Sequence, residues 1–238
     1  MKICLIFDLF FSMLKTQFTL ISKKQLTHDV YELIYSCPDM TREVPKPGQY
    51  AMFQLAPGLN RSYSIASFAL DSFTLVIKRI ADGKGSPIIC DAEIGQVFSG
   101  MIPLGHFVLR DTPVSKCFIG TGTGFAPLYC QMLGCIDRGL LSAPVTFVFG
   151  VRELVDVFYT DEIKSIGSEF QEFTHISYLS REDALGHRRG YVTDWITPEH
   201  IAPFDEFYIC GSPAMVRSAR EKLEALGVGS ERIFWEQF

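Results

Sequence analysis

The feature that most constrains this chain is a change of rhythm close to residue 112. Before it, from Thr16 to Arg110, short apolar or alternating runs rich in β-branched and aromatic residues follow one another: FTLIS, DVYELIYS, QYAMFQL, RSYSIAS, FTLVIKRI, QVFSGMI and HFVLR. Pro-Gly, Gly-Leu-Asn, Asp-Gly-Lys-Gly and Pro-Leu-Gly stand between them, so this half is expected to form a small antiparallel barrel or sandwich. After Val114 strands alternate with helices. KCFIG leads through a Gly-rich turn into a helix from Ala126 to about Arg138; VTFVFG, a helix near Asp161, HISYLS, EFYICG, a helix from Pro213 to Leu226 and IFWEQF follow. That alternation implies right-handed crossovers and a parallel sheet, so the second half is expected to be a doubly wound α/β domain.

Charge divides the chain at the same place. Residues 1–112 carry 11 basic and 10 acidic side chains, and residues 113–238 carry 11 and 17. The segment RDTPVSK, with its helix-breaking proline, marks the joint, giving residues 1–14 as an extension of unassigned role, 15–112 as the barrel domain and 113–238 as the α/β domain. A net charge of −5 excludes a dedicated nucleic-acid binder, whose affinity rests on clustered positive charge, and 47% apolar residues exclude a disordered chain.

Seven cysteines, an odd number without the spacing of a secreted disulfide framework, point to a reducing, cytoplasmic compartment. Cys130 and Cys135 have the C-x4-C spacing that opens one iron–sulfur motif, but Arg138 stands where the next cysteine belongs, so both are expected to be small apolar helix residues. The five histidines are scattered and no metal site is expected. The opening MKICLIFDLFFSML invites a signal-peptide reading. Asp8 interrupts its apolar stretch, no small-residue cleavage site follows, and the stretch falls short of the roughly 20 residues that span a bilayer. A loosely attached start is expected, or a packed extra element, without membrane association.

Four constellations carry chemistry. Arg61-Ser62-Tyr63-Ser64 sets a planar cation, an aromatic ring and hydroxyls along one strand, a set that suits a phosphorylated, planar ligand. Gly83-Lys84-Gly85-Ser86-Pro87 opens a short helix, with Ser86 expected as its N-cap, and a helix start attracts an anion such as pyrophosphate. Gly120-Thr121-Gly122-Thr123-Gly124 joins a strand to a helix; it is neither the GxGxxG fingerprint nor a P-loop, but its backbone can approach a phosphate closely. Cys210-Gly211-Ser212-Pro213-Ala214-Met215 makes the same transition, with Ser212 as cap. Ligands of open α/β sheets bind beyond the carboxyl ends of strands, so the last two turns should face one crevice.

In this order RSYSIAS, GKGSP, SGMIPLGHFVL, GTGTGFAPL, VFGVR, LSRED, CGSPAMV and FWEQF resemble the motifs of the ferredoxin–NADP⁺ reductase superfamily of flavoproteins, across about residues 16–238. The resemblance implies FAD, rather than FMN, as cofactor, with Arg61 on a flavin phosphate, Tyr63 stacked on the ring and Ser64 near its reactive nitrogen. Val76, Ile77 and Lys78 line the cofactor, and Gly85 and Ser86 donate to its pyrophosphate, by the same resemblance. Thr123 is implied to lie between flavin and nicotinamide, Cys210 where hydride passes, and Phe238, with Glu236 beside it, as a cover for the flavin. Many relatives have Tyr or Trp at that covering position, a departure here. Arg152, Ser180 and Arg181 match positions that meet the adenosine end of the pyridine nucleotide. The Ser–Arg pair favours NADPH over NADH, while Glu182 and Asp183 oppose a 2′-phosphate.

The implied activity is hydride transfer from NAD(P)H to FAD and release of single electrons to a carrier such as ferredoxin or flavodoxin. Two other readings stand beside it: the reductase component of an oxygenase or other multisubunit system, and a non-catalytic flavin- or nucleotide-binding relay subunit.

Overall fold

The computed structural model describes residues 13–238. Six strands, β1 (Leu14–Gln25), β2 (Val30–Ser36), β3 (Tyr50–Ala56), β4 (Leu59–Phe68), β5 (Ser72–Lys78) and β6 (Val97–Leu104), close into an antiparallel barrel in the order β1-β2-β5-β4-β3-β6. Side chains alternate across a strand, so every second residue enters the barrel. Phe18 and Leu20, Leu33 and Tyr35, and Phe73 and Leu75 do so and meet Phe53, Ile65 and Phe98 in one buried core. Its rings pack at angles, Phe18 against Phe53 at 4.7 Å and Tyr35 against Phe53 at 5.0 Å between centroids. The short helix α1 (Ser86–Asp91) adds Ile89 and Cys90 to the same core.

HFVLR, expected as a further strand, is not one. Pairing of β1 with β6 closes the barrel and leaves no edge for it. Its backbone bonds elsewhere: Leu109 N–H donates to the Pro47 carbonyl at 3.0 Å, the Phe107 carbonyl accepts from Gln131 Nε2 at 2.9 Å, and Arg110 N–H donates to the Tyr208 hydroxyl at 3.1 Å. Residues 106–110 are thus the joint between barrel and sheet. Of the expectations for the opening residues, those on 1–12 lie outside the described residues, and Leu14 already stands in β1 opposite Ile102.

The second half is a parallel sheet of β7 (Lys116–Thr121), β8 (Val145–Val151), β9 (Phe173–Leu179), β10 (Arg188–Arg189), β11 (Glu206–Gly211) and β12 (Ile233–Gln237), ordered β10-β9-β8-β7-β11-β12. Helices α2 (Phe125–Asp137), α3 (Thr160–Gly167), α4 (Pro198–Ile201) and α5 (Pro213–Ala225) cover it. Phe118 of β7 packs in the core of α2 and α3 with Phe125, Leu128 and Ile163, while its neighbours Cys117 and Ile119 pack with Val216, Ala219 and Leu223 of α5. Helices therefore lie on both faces, as a doubly wound sheet requires. The chain runs outward from β7 to β8 and β9, then returns to the other side of β7 as β11. The turns after β7 and β11 therefore lie side by side at the carboxyl end of the sheet, where ligands of such sheets bind.

Helix α2 belongs to both halves. Cys130 packs in the barrel core and Cys135 in the sheet core, so the two cysteines are buried helix residues, and their thiols are pushed up to about 12 by burial. No helix among the described residues is long and apolar enough to cross a membrane.

Candidate functional site

On the barrel side the site is built on β4. Arg61 is exposed, its guanidinium held by a 2.7 Å bond from Nη1 to the Asn60 carbonyl. Tyr63 is half-buried, packed edge-on against Phe53, and burial pushes its phenol up to about 12, so it stays a neutral ring. Gly85 lies directly against this pair: a Cβ there would stand 2.7 Å from Arg61 Cγ and 3.3 Å from the Tyr63 hydroxyl, so only glycine lets the start of α1 close onto β4. The cap of α1 differs from the sequence expectation. Gly85 holds the N-cap position and Ser86 is the first helical residue; Ser86 Oγ instead accepts from Ile80 N–H at 2.9 Å, which fastens the preceding turn. On β5, Lys78 Nζ lies 2.6 Å from Asp29 Oδ2.

On the sheet side the two glycine turns meet. Gly122 has φ +55°, and a Cβ on Gly124 would stand 2.3 Å from the Cys210 carbonyl oxygen, so glycine at 124 allows the GTGTG turn to rest on the end of β11. Ser212 caps α5 as expected, accepting from Met215 N–H at 3.4 Å. Ser64 Oγ donates to Glu236 Oε2 at 3.0 Å, bringing β4 of the barrel to β12 of the sheet. Burial raises the Glu236 carboxyl above the usual range, and the Ser64 bond partly offsets this. Phe238 N–H donates to the Gly211 carbonyl at 3.4 Å, and the Phe238 ring is 61% exposed.

These parts surround one cavity of about 820 Å³, large among ligand sites. Arg61, Ser62, Tyr63 and Ser64 line it, as do Val76, Ile77 and Lys78, then Gly85 and Ser86. Thr121, Gly122, Thr123, Arg152, Ser180, Met215 and Phe238 complete the expected set on its wall. Gly120, Cys210, Gly211 and Arg181 are not part of that wall. Gly120 packs against Leu128, Gly211 sits behind Thr121 and Met215, and Cys210 is fully buried, its thiol raised by burial and by the Glu236 carboxylate. Arg181 turns toward Glu153, with 3.8 Å between Nη1 and Oε1.

Three residues outside the expected set stand out. In the sequence Glu236 stands out only as a neighbour of Phe238, because its partner Ser64 is 172 positions away. Tyr191, in GHRRGYV, is 66% exposed on the cavity rim, and Asp156 lies on the wall close to His28. An exposed aromatic after a glycine, in a loop following strand-like sequence, is the signal that would have found Tyr191.

The barrel and sheet match two family models, an oxidoreductase FAD-binding domain over residues 17–109 and an oxidoreductase NAD-binding domain over residues 118–221. The chain belongs to the ferredoxin–NADP⁺ reductase-like oxidoreductases. It is 32% identical over 206 residues to the reductase component of propane 2-monooxygenase from Mycolicibacterium goodii, covering 81% of this chain and 59% of that protein. It is 26% identical over 220 residues to the toluate 1,2-dioxygenase electron transfer component of Pseudomonas putida, covering 90% of this chain and 65% of that one. The chain thus spans less than two thirds of the length of these relatives. In fold it resembles a cytochrome P450 reductase from Amycolatopsis, with a TM-score of 0.84 and 24% identity over 95% of this chain and 70% of that one. An FAD-binding and an NAD(P)-binding domain are therefore both present in this reductase-family chain.

Proposed function

We propose that this chain takes hydride from a reduced pyridine nucleotide onto FAD and passes electrons singly to a protein acceptor. The observation that carries the reading is the single cavity onto which both ligand-binding sets open, Arg61 to Ser64 from the barrel and Thr121 to Thr123, Arg152 and Ser180 from the sheet. The residues fit FAD: an exposed guanidinium for phosphate, a neutral half-buried ring for stacking, and a glycine that brings the start of α1 close to both. When bound, FAD supplies the hydride-accepting and one-electron chemistry.

The chain's own part is placement. Arg61 and the start of α1 hold the phosphates; Tyr63 and Val76 to Lys78 fix the ring. Thr121 to Thr123 and Met215 orient the nucleotide opposite them, and the 820 Å³ cavity holds both ligands together. Ser64 lines the cavity and donates to Glu236, whose carboxyl is raised by burial, so this bond fixes the Ser64 hydroxyl at the wall. Cys210 supports the floor from beneath, and Phe238 stands at the rim as an exposed ring.

Among acceptors, an oxygenase component is supported by the names of the two relatives above, while ferredoxin or flavodoxin fits the same chemistry. A reducing, cytoplasmic setting is supported by six unpaired, buried cysteines among the described residues. For the nucleotide, Ser180 and Arg181 favour NADPH by sequence, but the partner of Arg181 in the structure favours NADH. The experiment is anaerobic: visible absorbance of the flavin-loaded protein before and after NADH or NADPH. Bleaching of the flavin band by either is expected; an unchanged oxidised spectrum with both would leave the relay reading in its place.

A further inference from the structure

Two loops meet at the strand ends proposed to face the adenosine half of a bound nucleotide, with the exposed Arg188 and Arg189 of β10 alongside the end of β9. The segments 152–156 and 180–183 hold two arginines, Arg152 and Arg181, against four carboxylates, Glu153, Asp156, Glu182 and Asp183. Two of these acids are fixed by the fold. Glu153 accepts the backbone N–H of Asp156 in a capping box and stands 3.8 Å from the Arg181 guanidinium. Glu182 accepts the backbone N–H of Leu154, which ties the loop after β9 across the loop after β8. Arg181 N–H also donates to the Arg152 carbonyl at 2.9 Å, so the two loops form one braced edge. Ser180 and Arg152 face the cavity from this edge, and Arg181 does not.

We infer that Glu153 and Glu182 make this edge select NADH over NADPH, an inference that rests on the nucleotide-binding reading above. The two nucleotides differ only by the 2′-phosphate on the adenosine ribose. An arginine beside a serine suits that dianion, because guanidinium and hydroxyl both donate to its oxygens. Here the arginine already has a carboxylate partner, and a phosphate would have to displace Glu153 and then sit near the fixed Glu182. A free ribose 2′-hydroxyl meets no such repulsion and can donate to a carboxylate. Selection therefore comes as much from repulsion of the wrong ligand as from attraction of the right one.

The test measures binding rather than turnover. Adenosine 5′-monophosphate and adenosine 2′,5′-bisphosphate are titrated by calorimetry into flavin-loaded wild-type protein and into the Glu153→Gln, Glu182→Gln and double variants. Glutamine keeps an acceptor for the Asp156 and Leu154 N–H groups, so the loops stay braced while the charges go. The wild type is expected to bind the monophosphate at least about tenfold more tightly, and the double variant to gain about tenfold or more for the bisphosphate with the monophosphate little changed. Adding Arg181→Gln to the double variant is expected to abolish that gain. Equal or tighter binding of the bisphosphate by wild type, or a ratio unmoved in the double variant, would overturn the inference and leave the nucleotide-binding reading intact. Failure of every form to bind either ligand would overturn both.

Discussion

Ser64 and Glu236, 172 residues apart, share a 3.0 Å hydrogen bond that joins the middle of a barrel strand to the last strand of the sheet. Ser64 lines the cavity and Glu236 stands behind it, so the same contact ties the two halves together next to the ligand space. Neither half forms the cavity alone: the barrel brings Arg61 to Ser64 to its wall, and the sheet brings Thr121 to Thr123, Arg152 and Ser180.

The carboxyl gives a pH signature. Burial raises Glu236 in the folded chain, so the unfolded chain releases this proton first as pH rises. Its contribution to stability is complete below the ordinary glutamate value of about 4.3 and is lost as pH climbs through the folded value. Glu236→Gln keeps an acceptor for Ser64 and removes the titration. The melting temperature of wild type is expected to fall relative to the variant as pH rises above about 4; curves that stay parallel would show that the carboxyl is not raised in the folded chain.

Much of the architecture was legible in the sequence because its signals are local. Phe18 and Leu20, or Phe73 and Leu75, announce strands by period-two burial, and the strand–turn–helix order announces the parallel sheet. HFVLR misled because an apolar, β-branched run says that side chains are buried and nothing about where the backbone bonds; here it bonds to Pro47, Gln131 and Tyr208. Ser86 misled for a related reason. Ser-Pro at a helix start reads as a cap, but its hydroxyl serves Ile80 in the turn before. In the site, the contiguous motifs were visible, while the pairings Ser64–Glu236 and Glu153–Arg181 depend on folding and carry no local signal.

Gly124 tests the meeting of the two glycine turns. Its added Cβ would stand 2.3 Å from a carbonyl oxygen and 2.8 Å from Gly211 Cα, both backbone atoms that cannot swing away. Gly124→Ala is expected to move the GTGTG turn off β11, costing about 1–3 kcal/mol in urea unfolding, as overpacking does, and weakening nucleotide binding. Gly122→Ala places its Cβ in open space but at φ +55°, so a smaller loss is expected there, of about 1 kcal/mol.

Arg61 tests the phosphate contact. Its guanidinium is exposed and donates to the carbonyl of its own neighbour Asn60, so removing it should leave the barrel folded. Arg61→Ala is expected to weaken FAD binding to the apoprotein by about tenfold or more, the range of a lost hydrogen bond to a charged group. Arg61→Lys should restore only part, since an ammonium lacks the planar pair of donors. Fluorescence titration with FAD reads both, and full affinity in the alanine variant would remove Arg61 from the site.

The joint between the halves carries a buried ion pair whose two members should behave unequally. Lys116 Nζ lies 3.5 Å from Glu206 Oε2, with side chains 1% and 6% exposed. Glu206 also accepts from Thr112 Oγ1 at 2.7 Å and from the Tyr208 hydroxyl at 2.9 Å, and Arg110 Nε is 3.7 Å away. Lys116 Nζ also donates to the Thr112 and Val114 carbonyls, at 2.5 and 3.1 Å, so losing Glu206 leaves a buried ammonium hydrogen-bonded but without a counter-charge and two hydroxyls without their acceptor, whereas losing Lys116 leaves the carboxylate with three partners, one of them a cation. Glu206→Ala is expected to cost about 3–5 kcal/mol in urea unfolding and Lys116→Met distinctly less. Removing both charges together, as Lys116→Met with Glu206→Leu, is expected to recover part of the loss, because no unpaired charge then remains in the core. Equal losses for the single variants, or a double variant worse than their sum, would mean that the pair acts through packing rather than charge.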